Sequence, residues 1–186
     1  GKTVRTSIWK TPVSGPVRVS ALNLEGDRQS DLTVHGGPDK ALYVYPSEHY
    51  PYWRGRLSDT ELPWGAFGEN FTSEGLAEES VRIGDRLRVG TAEFAVTQPR
   101  MPCYKLGIRF GSPKMVKMFL KSGRTGFYLA VTREGEAQAG DRVELIARAE
   151  DSLTVADIVR LYASASENQE MLILAAKLPG LPESWK

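Results

Sequence analysis

The chain is poor in the residues that build covalent or metal-held scaffolds. It has one cysteine, Cys103, and two histidines, His35 and His49. A single cysteine excludes an intrachain disulfide, suits a reducing compartment, and leaves its thiol to be explained on its own terms. Two histidines and one cysteine fit no structural-zinc spacing. Long apolar runs are also missing. The longest clean one, Met171 to Ala176, is far too short to span a bilayer. Gly1 to Lys10 has no apolar h-region, so no signal peptide is expected, and a cytoplasmic location is the expectation. Nor is there an excess of one charge. The formal net charge is +1, too balanced to predict a nucleic-acid polymer or a membrane as partner. A local basic patch would have to serve a small anion.

What is present is an ordinary globular composition: 41% hydrophobic and 25% charged over 186 residues, enough for one domain with a small appendage. Most of the chain reads as short half-buried strands by period-two alternation. Leu87 and Val89 share a face, as do Ala92, Phe94 and Val96, then Phe127, Leu129 and Val131, then Val143, Leu145 and Ala147. The tripeptide Gly-Asp-Arg occurs at 26–28, 84–86 and 140–142, and its last two copies lead directly into strands. Glycine permits a positive φ and aspartate caps its own turn, so these are expected β-corners of the kind a barrel needs.

Helical signals are fewer. Ser112-Pro113 starts a helix with Met115, Met118 and Phe119 on one face, ended by Gly123. Thr154 to Asp157 and Ser166 to Gln169 read as capping boxes. The first precedes Val155, Ile158, Val159 and Tyr162, and the second Met171, Leu174, Ala175 and Leu178. A further short helix is expected from Ser47 toward Leu57. The fold class expected is therefore mainly β with helices (α+β). Residues 1–150 form a barrel-like domain, and residues 151–186 a helical extension packed on the core or on a partner. The extra apolar positions Leu172 and Ile173 fit a homodimer contact and burial against the barrel equally well.

Four stretches could carry chemistry. Cys103 lies in Gln98-Pro99-Arg100-Met101-Pro102-Cys103-Tyr104-Lys105. Two prolines stiffen the approach, and Arg100 and Lys105 bring positive charge that favours a thiolate if they are also close in space. A thiolate is both a nucleophile and a soft metal ligand. In His35-Gly36-Gly37-Pro38-Asp39-Lys40 the paired glycines could offer backbone N–H groups to an anion, with Lys40 as a point charge. A plain β-turn explains them equally. In Gly65 to Phe71, Asn70 could read a heterocycle edge or close an Asx turn. Arg124-Thr125-Gly126 could meet a phosphate or simply join helix to strand. His49, among Tyr50, Pro51, Tyr52 and Trp53, reads as a packing residue.

Taken in order, His35-Gly36-Gly37-Pro38-Asp39-Lys40-Ala41, Gly68-Glu69-Asn70-Phe71, Val81-Arg82-Ile83-Gly84-Asp85, Gln98-Pro99-Arg100-Met101-Pro102-Cys103 and Arg124-Thr125-Gly126 resemble the MOSC domain, the C-terminal domain of molybdenum-cofactor sulfurases. The likeness is greatest to the stand-alone bacterial YiiM type, whose three-helix C-terminal extension the tail from Asp151 resembles. The resemblance implies a β-barrel-like core of the pyruvate-kinase-barrel kind. It implies a molybdenum cofactor (molybdopterin) as ligand, with Cys103 as the catalytic residue and metal ligand. The implied reaction reduces N-hydroxylated bases such as 6-N-hydroxylaminopurine to amines, with electrons from a separate flavoprotein reductase. His35, Gly36, Gly37, Lys40, Asn70, Arg100, Lys105, Arg124, Thr125 and Gly126 would surround the cofactor. The alternatives are a cofactor or sulfur carrier with a persulfide on Cys103, a cysteine hydrolase using His35 or His49 as base and Asn70 as orienter, and a non-enzymatic module that binds a purine-like ligand.

Overall fold

The computed structural model describes residues 6–28, 36–163 and 168–186. Strands β1 (Val17–Ser20) and β2 (Asn23–Leu24) form a hairpin. β3 (Leu42–Pro46) leads through a 3-10 turn into α1 (Tyr50–Arg54), and β4 (Phe71–Ser73) follows. β5 (Arg86–Val89) and β6 (Ala92–Pro99) pair antiparallel. Helices α2 (Tyr104–Arg109) and α3 (Lys114–Ser122) precede β7 (Phe127–Arg133), β8 (Gly135–Ala137) and β9 (Val143–Ala147). The chain ends with α4 (Val155–Ala163), α5 (Gln169–Lys177) and a 3-10 turn at Glu183–Trp185. The larger sheet has the order β4-β3-β7-β6-β5-β9 and curls into a half-barrel, and a smaller sheet β2-β1-β8 stands beside it. β3 and β4 run parallel; the other pairs are antiparallel.

The curled sheet separates two cores because β3 is apolar on both faces. Leu42 and Val44 point into the barrel with Leu87, Phe94, Val96 and Leu129. Tyr43 and Tyr45 point the other way, into an aromatic cluster with Tyr50, Trp53, Phe67, Leu106 and Phe119. All five residues of β3 are buried, so the strand shows no polar alternation. At the other edge, β9 buries little: Leu145 is 45% exposed, against the expectation of a buried face. A register shift between Arg86 and Leu87 in the β5–β9 pairing interrupts the alternation of this edge strand.

The Gly-Asp-Arg corners form as expected at two of three places. Asp85 is buried and accepts hydrogen bonds from the Arg82 and Ala149 N–H groups at 2.9 Å each. Asp141 accepts from the Gln138 N–H at 2.9 Å. The copy at 26–28 leads into no strand among the described residues, and its aspartate is used differently, as shown below.

The tail is built into the barrel. Thr154 and Asp157 exchange the capping-box bonds that start α4. The Val155 N–H donates to the Val81 carbonyl, and the Ile83 N–H to the Leu153 carbonyl, at 2.9 Å each. The Trp185 Nε1–H donates to Gln98 Oε1 at 2.5 Å. α5 is capped by Asn168, which accepts from the Met171 N–H; the Ser166 expected in that role lies outside the described residues. Leu172, Ile173 and Leu174 are exposed on α5.

Candidate functional site

Cys103 stands where β6 has ended and α2 begins. The Arg100-Met101-Pro102 link carries the chain from the sheet edge to an extended Cys103, whose carbonyl accepts from the Leu106 N–H at 2.9 Å. Leu106 is buried in the aromatic cluster and anchors this first turn. The thiol is therefore held half-buried at the lip of a pocket of about 110 Å³. Arg100, Lys105, Lys40, Asn70 and Tyr128 line the same pocket. A strap from the N-terminal side, Thr6, Ser7, Ile8 and Lys10, forms another wall.

Two of these cations are buried. Arg100 is 6% exposed and Lys105 is 8% exposed. The Arg100 guanidinium lies 5.2 Å from the Tyr43 ring centroid and 5.1 Å from that of Phe119, the spacing of a cation held by aromatic faces. Its Nη1 has no hydrogen-bond partner among the described residues. Burial opposes its charge, but Tyr43, Tyr128 and Cys103 around it outweigh that, and its pKa lies above the usual arginine value. Burial in turn raises the Tyr43 and Tyr128 hydroxyls above the usual tyrosine range, while Arg100 pulls them back. The floor of the pocket is thus a guanidinium among neutral phenols.

The other candidates are placed differently. Asn70 spends its amide inside the fold: Oδ1 accepts from the Tyr43 N–H at 2.9 Å, and Nδ2 donates to Asp27 at 2.7 Å. Arg124 lies over the Tyr52 ring at 4.0 Å and donates to the Ser122 carbonyl, away from the pocket lining. Gly36, Gly37, Thr125 and Gly126 are also absent from the lining among the described residues. Gly37 starts the 3-10 turn Pro38–Lys40, and His35 lies outside the described residues. Gly126 matters through its backbone. Its φ is 64°, and a Cβ there would collide with the Val44 carbonyl and the Tyr43 ring. Its N–H donates to Glu78 at 2.7 Å and its carbonyl accepts from the Arg100 N–H at 3.2 Å. Glu78 also pairs with His49 Nε2 at 2.7 Å, so His49 is a buried structural partner.

A MOSC domain family model matches residues 31–144. The chain belongs to the MOSC family. It is 43% identical to Bacillus subtilis YflK over all of this chain and 84% of that protein. It is 37% identical to Escherichia coli YiiM over 97% of this chain and 81% of that protein. A protein of Gibberella moniliformis named reductase is 31% identical over 96% of this chain, which spans 32% of that longer protein. The crystal structure of YiiM from Geobacillus stearothermophilus superposes with a TM-score of 0.85 at 37% identity, covering 99% of this chain and 89% of that one. The MOSC half-barrel and its helical tail are therefore shared with solved YiiM structures.

Several lining residues of this MOSC pocket carry no signal in the local sequence. Lys10 and Asp27 form an ion pair, and Asp27 also receives the Asn70 amide. This joins the strap, the first Gly-Asp-Arg copy and β3, which are far apart in the chain. Ile8 seats against Gly68, whose φ is 87° and whose added Cβ would stand 2.8 Å from Ile8 Cγ1. The one available signal was the first Gly-Asp-Arg copy, the only one with no strand pattern behind it. No group of three or more His, Cys, Asp or Glu side chains capable of holding a metal occurs among the described residues. No helix of the described residues is long and apolar enough to cross a membrane.

Proposed function

We propose that this MOSC protein is a molybdenum-cofactor-dependent reductase of N-hydroxylated bases such as 6-N-hydroxylaminopurine, with Cys103 as the thiolate ligand of the metal. The observation that carries the reading is the pairing of one accessible soft donor with a buried guanidinium, one of whose nitrogens is unpartnered among the described residues, in the same pocket. The MOSC family's association with this cofactor, and the name of the Gibberella relative, agree with it.

The cofactor is a pterin that brings a dithiolene-bound metal and a phosphate, and the donor set here suits such a group. A lone cysteine completes a coordination sphere supplied largely by the ligand, and softness matches thiolate to metal. Arg100 Nη1 and Lys105 offer donors to anionic oxygens, and a buried charge-assisted bond to an otherwise orphaned donor is among the stronger ones. At about 110 Å³ the pocket takes only part of so large a molecule, so the Thr6–Lys10 strap must yield on binding. When bound, the cofactor supplies two-electron redox chemistry at a metal. The substrate gains two electrons and two protons, its N–O bond breaks, and an amine and water leave. The electrons come from a separate flavoprotein reductase. The protein's own part is to hold the thiolate, neutralise the anionic end and exclude water with the aromatic floor.

Hydrolysis with His49 as base is less well served, and His35 lies outside the described residues. His49 is committed to Glu78 and lies outside the pocket lining, and the Asn70 amide is already spent.

The test is molybdenum per chain by plasma mass spectrometry. Wild type and Cys103→Ala come from a cofactor-making host, and a second wild-type sample from a host unable to make the pterin. Metal in the first sample alone is the expected result, followed by turnover of an N-hydroxylated purine. Metal in no sample, together with no uptake of released cofactor, would overturn the reading and leave the persulfide carrier.

A further inference from the structure

The half-barrel borders a second and larger space that is open to solvent. Its volume is about 630 Å³. Ligand pockets occupy roughly 300–1,000 Å³. Val44, Leu87 and Leu129 of the curled sheet form one side, and Val17 and Ala137 of the small sheet the other. This lumen shares only Lys10, Asp27 and Asn70 with the Cys103 pocket, so that bonded trio is the partition between the two.

We propose that the lumen is a separate small-molecule site, taking an apolar amine that is neutral or cationic. Three independent features support this. The first is Ser73 on β4, which lines the lumen, is 8% exposed, and has a hydroxyl with no hydrogen-bond partner among the described residues. A buried hydroxyl left unpaired is unfavourable, and a ligand amine that bonds to it relieves that penalty. The second is charge. Lys10 is the only Lys or Arg in the lining among the described residues and is paired with Asp27. Glu25 and Glu74 line its exposed rim, and Asp141, which accepts from the Gln138 N–H, lines it too. Glu69 is also there, but the Gly65 and Phe67 N–H groups and the Tyr50 hydroxyl already satisfy it. The lining therefore carries more acidic than basic side chains, which favours a neutral or cationic ligand over an anion. The third is the opening, where Trp9 and Trp64 are 53% and 45% exposed and offer ring faces to a cation or an aromatic ring. None of these groups belongs to the Cys103 pocket apart from the shared partition, so the proposal stands whether or not molybdenum binds.

The probe is N-phenyl-1-naphthylamine, an apolar amine whose fluorescence rises in apolar surroundings, titrated into the purified protein. The control is 8-anilinonaphthalene-1-sulfonate, which has the same rings and a negative charge. Saturable binding of one amine per chain is expected, with the sulfonate about ten-fold weaker or worse. Ala139→Trp places a large ring on an exposed lining position without touching the core. It should weaken the amine about ten-fold or more at unchanged thermal midpoint. If that variant melts early, Val13→Trp, at a lining position 62% exposed, serves the same purpose. Binding that does not saturate, that survives the plug in a folded variant, or that is as tight for the sulfonate would overturn the proposal.

Discussion

Arg100 brings a buried charge to the floor of the Cys103 pocket. A buried guanidinium with an unsatisfied nitrogen carries a desolvation penalty of about 1–3 kcal/mol. Methionine fills much the same volume between Tyr43 and Phe119 and needs no donor partner. Arg100→Met regains that penalty but gives up the cation–π contacts with Tyr43 and Phe119, so its melting temperature should move by no more than about 2–4 °C, while molybdenum retention and phosphate affinity are lost. A much larger fall in the melting temperature of that variant would mean that Arg100 stabilises the chain rather than serving a ligand. The phenols around it give a second prediction at this scale. Burial raises Tyr43, Tyr45, Tyr50 and Tyr128 above the usual value of about 10. Their folded pKa values exceed the unfolded one, so the stability they contribute is complete below about pH 10 and falls as pH rises beyond it. Tyrosinate absorbance should therefore omit these four of the seven tyrosines until the chain unfolds in alkali. Four early ionisations would show that the aromatic floor is wet. Cys103, Arg100 and Lys105 were legible as a cluster because they are near neighbours in the chain. Tyr128 and Asp27 were not, since only the sheet pairing and the strap bring them there.

At the scale of elements, the strap and its latch line the pocket that Cys103 opens into. The Lys10–Asp27 pair is partly buried and holds Thr6–Lys10 across the pocket, while Ile8 lies on a glycine that leaves it no room to spare. Asp27→Ala removes the partner of both Lys10 and Asn70. If the latch is worth about 1 kcal/mol, the open population rises roughly five-fold. Cys103 should react faster by that factor with a bulky aromatic disulfide, and Gly68→Ala should act in the same direction by pushing Ile8 away. Equal rates in wild type and both variants would show that the strap does not gate the thiol. Legibility of the elements followed the same physics. β5, β6 and β7 were readable because much of each alternates inside and outside, and α4 because its capping box closes as written. β3 was invisible because period two needs a polar face, and both of its faces are apolar. β9 misled in the opposite way: its alternation is real, but as an edge strand with a shifted register it buries little of either face.

For the whole molecule, the question is whether the segment after Glu150 is an accessory or part of the core. The family match ends at residue 144, which suggests an accessory. The packing argues otherwise. Leu153, Val155, Ile158, Leu161, Leu178 and Leu181 are all buried in the barrel-side core with Leu87, Phe94 and Val96. At about 1.5–3 kcal/mol for each large apolar side chain, they contribute on the order of 10 kcal/mol. That is comparable to the entire net stability of a typical domain, about 5–15 kcal/mol. The tail also reaches the site, because Trp185 holds Gln98 two residues before Arg100. A chain ending at Glu150 should therefore fail to fold and should be recovered aggregated. Trp185→Ala should fold with a small loss, about 1 kcal/mol for the hydrogen bond plus the ring contact with Tyr162, and with weakened anion binding at Arg100. Circular dichroism and a thermal melt on both variants check this. A soluble, cooperative chain ending at Glu150 would separate the barrel from its tail and make the helices a module whose burial serves something other than the fold.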